Sequence, residues 1–274
     1  MEEERAYLER LAGLLISLCE ESMRFAYLKK NFTELEPVFI AGVLNLLYTG
    51  KPDAQGVSEL KALFVDPSSL PLVLGKEKFR ATYLSAMEMK LERITPFFTD
   101  LAPRKSATKQ EVREEDGKDS YDTLGTRRSL SKGSVKETLD KLLLDADPMI
   151  IENLLNNPRI VRFQVLKIAA ARPARPEILV LLARHAKWGK EYGVRVALTM
   201  NPYSPPRLAI ALLELLNRKD QKQVAVDETL HGQLRRSAMV ILNDAHGIDI
   251  GKAEGKDVKE KIGAEGQEIG EGSV

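Results

Sequence analysis

Prolines set at the ends of apolar runs constrain this chain more than any other feature. Between Val135 and Ala245, the pairs Asn157-Pro158, Arg172-Pro173 and Asn201-Pro202 each follow one apolar segment and precede another. A proline carries no backbone N–H for a continuing helix and disfavours the helical conformation of the residue before it, so each pair ends a helix. Restart signals stand close by. In VRVALTMNPYSPPRLAIALLELL, residues 194–216, Ser204 is placed to cap the next helix with Pro205 as its first residue, and Asp147-Pro148 offers the same pairing upstream. In LAIALLELL (208–216) and ILVLLA (178–183), apolar side chains occupy nearly every angle about the helix axis. Neighbouring helices must therefore cover them on more than one side.

The units recur. PARPEILVLLA from Pro173 superposes on PYSPPRLAIAL from Pro202 at an offset of 29 residues, matching Pro176 with Pro205, Leu179 with Leu208 and Leu181 with Ile210. LLNNP (154–158) superposes on LTMNP (198–202) at an offset of 44. Short helical units that repeat and bury each other's faces describe an α-solenoid. VRVALTMNPYSPPRLAIALL resembles the leucine-rich repeat variant and HEAT-like repeats at Val194, Arg195, Ala197, Asn201, Pro202, Pro205 and Leu208. The resemblance extends over about residues 145–245 and is absent from the amino-terminal half. It implies a curved helical stack that serves as a binding or scaffolding surface and inherits no catalytic residue.

The remaining sequence predicts an all-α chain in which a separate helical domain, residues 1–99, precedes a short solenoid of HEAT-like repeats over 135–246. Residues 3–30 read as one long amphipathic helix through Leu8, Leu11, Leu15, Leu18, Ser22 and Phe25. This leucine seam predicts association with other helices, either inside its own domain or across a homodimer. Further helices are expected over Glu34–Thr49, with Pro37 in the first turn and Gly50 past the end, over Val57–Phe64, and over Lys76–Thr95 after the turn-rich DPSSLPLVLG. Residues 100–134 are too polar to offset the entropy of ordering them and are expected to form a flexible linker. Within it, RRSLS (127–131) resembles a basic-directed phosphorylation site, a short pattern that arises often by chance. The segment 247–274, with seven glycines and eleven charges, is expected to be a disordered tail.

Composition excludes several function classes. The 41 basic and 40 acidic residues nearly cancel, so the chain as a whole has no long-range attraction for nucleic acid or anionic membranes. A single cysteine, Cys19, rules out disulfides within the chain, suits a reducing compartment and points to the cytoplasm. Its place beside the apolar stripe predicts a buried thiol. The opening Met1, Glu2, Glu3, Glu4 lacks the positive charge of a secretory signal, and no apolar run approaches the roughly 18 to 20 residues that span a bilayer, so no membrane partner is expected. His185, His231 and His246 lack metal-ligand spacing, and neither a phosphate loop nor a nucleophile elbow is present, which predicts a non-enzyme without metal or cofactor.

The most suggestive cluster surrounds the only tryptophan, in ARHAKWGKEYGVR. If that segment were helical throughout, Arg184, Trp188, Tyr192 and Arg195 would share one face and alternate cations with aromatics, making them the candidate partner-binding residues. The favoured reading is a non-catalytic protein-protein interaction or scaffolding protein. The alternative is a nucleic-acid-binding HEAT-like protein, since Asp147–Ala245 holds 15 basic residues against 9 acidic ones. DNA glycosylases built on such repeats need an acidic residue beside aromatic and basic groups, and here only Glu191 is near.

Overall fold

The computed structural model describes residues 2–50, 56–107 and 123–244. Their regular structure is fifteen α-helices and two 3-10 turns, so the fold is all-α. Leu18 to Glu20 divide what the apolar spacing reads as one helix into α1 (Glu2–Ser17) and α2 (Glu21–Glu34). Arg24 Nε donates to the Leu18 carbonyl at the break (2.8 Å). Cys19 sits at this corner and is exposed, which corrects the expectation of a buried thiol. The spacing of three and four survives the break because both helices turn leucines toward the same core. Leu8, Leu11 and Leu15 are buried within the chain, where α1 meets α3 (Pro37–Thr49) and α4 (Val57–Leu63). Those leucines are therefore not available as the seam of a homodimer. Gly56 opens α4 at φ +94°, and a Cβ there would stand 2.5 Å from the Ala12 carbonyl oxygen, so only glycine lets the two helices approach this closely.

DPSSLPLVLG holds a helix of its own, α5 (Ser69–Leu74), because Asp66 Oδ1 accepts the N–H (2.8 Å) and hydroxyl (2.9 Å) of Ser68 just ahead of it. The next helix, α6 (Lys76–Glu88), stops short of the expected Thr95. Chain reversal through Lys90 then leads to a 3-10 turn at Thr95–Phe98, whose Phe97 stacks on Tyr48 with centroids 4.5 Å apart. Packing of Phe97 and Phe98 into the core rewards the reversal.

The expected linker is helical over α7 (Leu124–Leu130). Arg127 and Arg128, which read as solvated charge, pair with Asp145 (3.1 Å) and Asp147 (2.8 Å). Residues 127–130 of the RRSLS stretch belong to this helix, and Ser131, its C-cap, is fully buried. Residues 108–122 of the linker and the tail from Gly247 lie outside the described residues.

The carboxy-terminal helices are α8 (Lys136–Lys141), α9 (Pro148–Asn156), α10 (Arg162–Ala169), α11 (Pro176–Arg184), α12 (Tyr192–Thr199), α13 (Pro206–Leu213), α14 (Arg218–Val226) and α15 (Gly232–Asp244), with a 3-10 turn at Trp188–Lys190. Asp147 caps α9 by accepting the Ile150 N–H (3.1 Å), and Pro148 stands at the first position, where no intrahelical N–H bond is needed. Ser204 does something else: its hydroxyl donates to the Leu198 carbonyl (2.6 Å), and α13 begins one residue late, on Pro206. Every residue of α13 from Leu208 to Leu213 is buried, as the all-round apolar pattern requires.

Alternate helices are tied at corresponding ends. Arg175 Nη1 at the start of α11 donates to Ala146 O before α9 (2.9 Å), and Trp188 Nε1 after α11 donates to Leu155 O near the end of α9 (3.0 Å). Arg162 at the start of α10 pairs with Glu191 before α12 (2.7 Å), and the Asn201 amide after α12 donates to the carbonyls of Ala169 (2.9 Å), the last residue of α10, and of Ala171 (3.0 Å) just beyond it. Asn157 repeats the device, donating to Ser131 O (3.1 Å) and Gly133 O (2.8 Å) behind α7. The two Asn-Pro pairs thus do more than end helices, since each amide satisfies carbonyls left bare at the end of another one.

The amino-terminal helices pack directly on this array. The 3-10 turn at Thr95–Phe98 and α4 lie against α13, Arg93 grips Glu214, and Arg184 pairs with Asp66 (2.6 Å). Buried side chains from both parts belong to one continuous core.

Candidate functional site

Arg184, Trp188, Tyr192 and Arg195 do not share a helix face, because the segment that carries them is folded back on itself. Helix α11 ends when His185 takes an extended conformation and its ring Nδ1 accepts the N–H groups of Lys187 (3.3 Å) and Trp188 (3.2 Å). Asn157 and Asn201 make the same local turn with their Oδ1 atoms. A Cβ on Gly189 would stand 2.1 Å from the Ala183 carbonyl oxygen, so the return requires glycine at that position. This turn drives Trp188 inward, where it is 6 % exposed, while Lys187 Nζ covers its ring at 4.1 Å from the centroid.

Each neighbour goes elsewhere. Arg184 reaches Asp66 and the Ser68 hydroxyl (3.0 Å) on the amino-terminal helices. The Tyr192 phenol bonds Asp220 and accepts the Asn217 N–H (3.1 Å), tying α12 to the start of α14. Arg195 Nε donates to Gly189 O (2.9 Å), and burial pulls the Arg195 guanidinium below its ordinary pKa. Only Arg184 and Arg195 come together, on the wall of a cleft of about 250 Å³ that also includes Arg24, His185, Lys190 and the acids Glu21, Glu59 and Asp66. Its charges of both signs make it a polar seam between the two parts of the chain, with Arg195 as a cation able to hold an anionic group.

Sequence reasoning missed the exposed edge beside Tyr192. Phe163 is 75 % exposed and Val161 53 %, at the start of α10. Arg162 between them bridges to Glu191, and its Nη2 lies 3.0 Å from where a Cβ on Gly193 would stand, which sets this turn against the start of α12. The signal was the phase of the sequence: Phe163 falls out of step with Val165, Ile168 and Ala169, the apolar residues of α10 that are buried.

Among the described residues, no three His, Cys, Asp or Glu side chains converge as a metal site requires, and no helix is long and apolar enough to cross a membrane. No protein-family model, curated protein or solved structure matches the chain.

His185 makes the turn sensitive to acid. Burial, then the charge of Lys187, lowers its pKa below the ordinary histidine value of 6.5, against a smaller opposing pull from Glu152. Below that ordinary value the unfolded chain binds a proton that the folded chain resists, so stability falls as pH drops through the window beneath about 6.5. In His185→Asn the amide oxygen is expected to accept the same N–H groups without titrating. Chemical denaturation at about pH 7 and about pH 5 should show a smaller acid loss in the variant than in the parent; equal losses would remove His185 from the account.

Proposed function

We propose that this chain is a non-catalytic protein-binding scaffold, a short HEAT-like solenoid that presents the starts of α10 and α12 to a protein partner in the cytoplasm. The observation that carries the reading is the exposure of Phe163 with Val161, Arg162 and Tyr192 at adjoining helix starts. Aromatic residues and arginine dominate the binding energy of protein interfaces, and a phenylalanine left mostly in water gains by being covered. The start-to-start and end-to-end ties between α9 and α11 and between α10 and α12 support the solenoid reading, because they hold alternate helices in parallel register. The nucleic-acid reading is weaker. Arg184 is neutralised by Asp66, and the Trp188 ring is covered, so neither offers the free cation or bare aromatic face that a nucleic acid would use.

The test is capture of partners by the full chain and by Phe163→Glu. The variant is expected to keep its stability within about 0.5 kcal/mol, since an exposed side chain is replaced, and to lose the captured protein. Capture that survives Phe163→Glu would overturn this surface. Salt-sensitive, submicromolar binding of nucleic acid that disappears in an Arg184→Glu, Arg195→Glu variant would replace the reading with its alternative.

A further inference from the structure

A groove of about 520 Å³ opens where the end of α6 meets α15. Met87, Pro96, Met239 and Val240 are the apolar part of its lining, and the exposed Leu84 and Met89 stand near Met87 in the chain. Lys90 and Arg236 line it together with Glu92, and none of the three has an ion-pair partner among the described residues. Lys90 is the only non-glycine described residue at positive φ (+54°). It sits at the position after the end of α6 where the Leu91 N–H closes back to Ala86 O (2.9 Å), a turn for which glycine has no steric cost. A lysine is therefore held in a glycine's conformation at the groove. Asn243 also lines it, and its buried Oδ1 lacks a donor among the described residues.

We propose that this groove docks an acidic amphipathic helix of a partner protein. The proposal rests on the protein-binding reading but uses a different surface. Methionine side chains adapt to varied apolar knobs, and a trough beside helices suits a helix laid along it. Two unpaired cations against one anion select acidic residues on the incoming helix. The first turn of such a helix is where carboxylates are favoured, which places the acidic residues of the partner against Lys90 and Arg236.

The test uses the full chain carrying 13C-methyl methionine and a fluorescent helical peptide of about 16 residues built from Glu, Ala and Leu, with Leu at spacings of three and four. Expected are micromolar binding, shifts of the Met87 and Met239 methyls with Met149 and Met200 unmoved, and binding about tenfold weaker when every Glu is replaced by Lys. Lys90→Gly is expected to raise the melting temperature while weakening the Glu peptide about fivefold, a pairing that lost folding cannot produce. Failure of the Met87 and Met239 methyls to shift, equal affinity for the two peptides, or unchanged binding by Lys90→Gly would each overturn the proposal. So would movement of those methyls in free Ile248→Asp, Ile250→Asp protein, which would assign the groove to the chain's own carboxy-terminal segment, or on dilution, which would assign it to a second copy. Phe163→Glu should bind the peptide normally. If the groove fails while Phe163→Glu still abolishes capture, the scaffold reading stands without it.

Discussion

Replacing Glu214 with alanine is expected to cost about 3–5 kcal/mol of folding stability, because it strips a buried pair of cations of their counterion. The Glu214 carboxylate is 2 % exposed and accepts Arg93 Nε and Nη2, each at 2.9 Å, while Lys61 Nζ stands 3.9 Å away. Asp244, bound to the same arginine at 2.9 Å, is 43 % exposed and too well solvated to replace it. Burial already lowers the Lys61 pKa below 10.5, with Glu214 opposing the shift, so removing the carboxylate lowers it further. Between the folded value and about 10.5 the unfolded chain binds a proton that the folded chain has released, and stability there rises with pH. The deficit of Glu214→Ala should accordingly shrink as pH is raised toward that value, although Arg93 remains charged. Urea denaturation across pH would show it. A cost below about 1 kcal/mol, or one that grows with pH, would mean that the carboxylate does not hold this joint. Because the joint links helices from both parts of the chain, the parent is also expected to unfold in one transition; two separated transitions would restore the independently folding domains that the polar stretch 100–134 predicts.

Trp188→Ala is expected to lose about 3–5 kcal/mol, the cost of emptying a buried tryptophan site. Trp188→Phe keeps most of the apolar area but leaves Leu155 O without the indole N–H, and should lose about 1–3 kcal/mol. As the only tryptophan, Trp188 reports its own environment, so the folded parent should emit at short wavelength and shift to the red on unfolding. A Trp188→Ala variant as stable as its parent would return this side chain to the surface and restore it as a partner-binding candidate.

The sequence by itself determined where many helices start and stop. Pro37, Pro148 and the Asn-Pro pairs act through backbone sterics and missing N–H groups, effects complete within a few residues and independent of what the chain later packs against. The burial of α13 on all sides was legible for a similar reason, since its residues from Leu208 to Leu213 leave no polar face to turn outward. Tertiary structure decided the rest. The break at Leu18–Glu20 is invisible to periodicity because both halves face one core, and α7 is ordered by acids of another segment, Asp145 and Asp147. The candidate cluster came apart for the same physical reason: Arg184 finds Asp66 118 residues away and Tyr192 finds Asp220 across 28, just as Arg93, outside the cluster, finds Glu214 across 121. Whether a cation faces solvent or a buried carboxylate depends on which distant side chain the fold brings within about 3 Å, and local spacing carries no record of that.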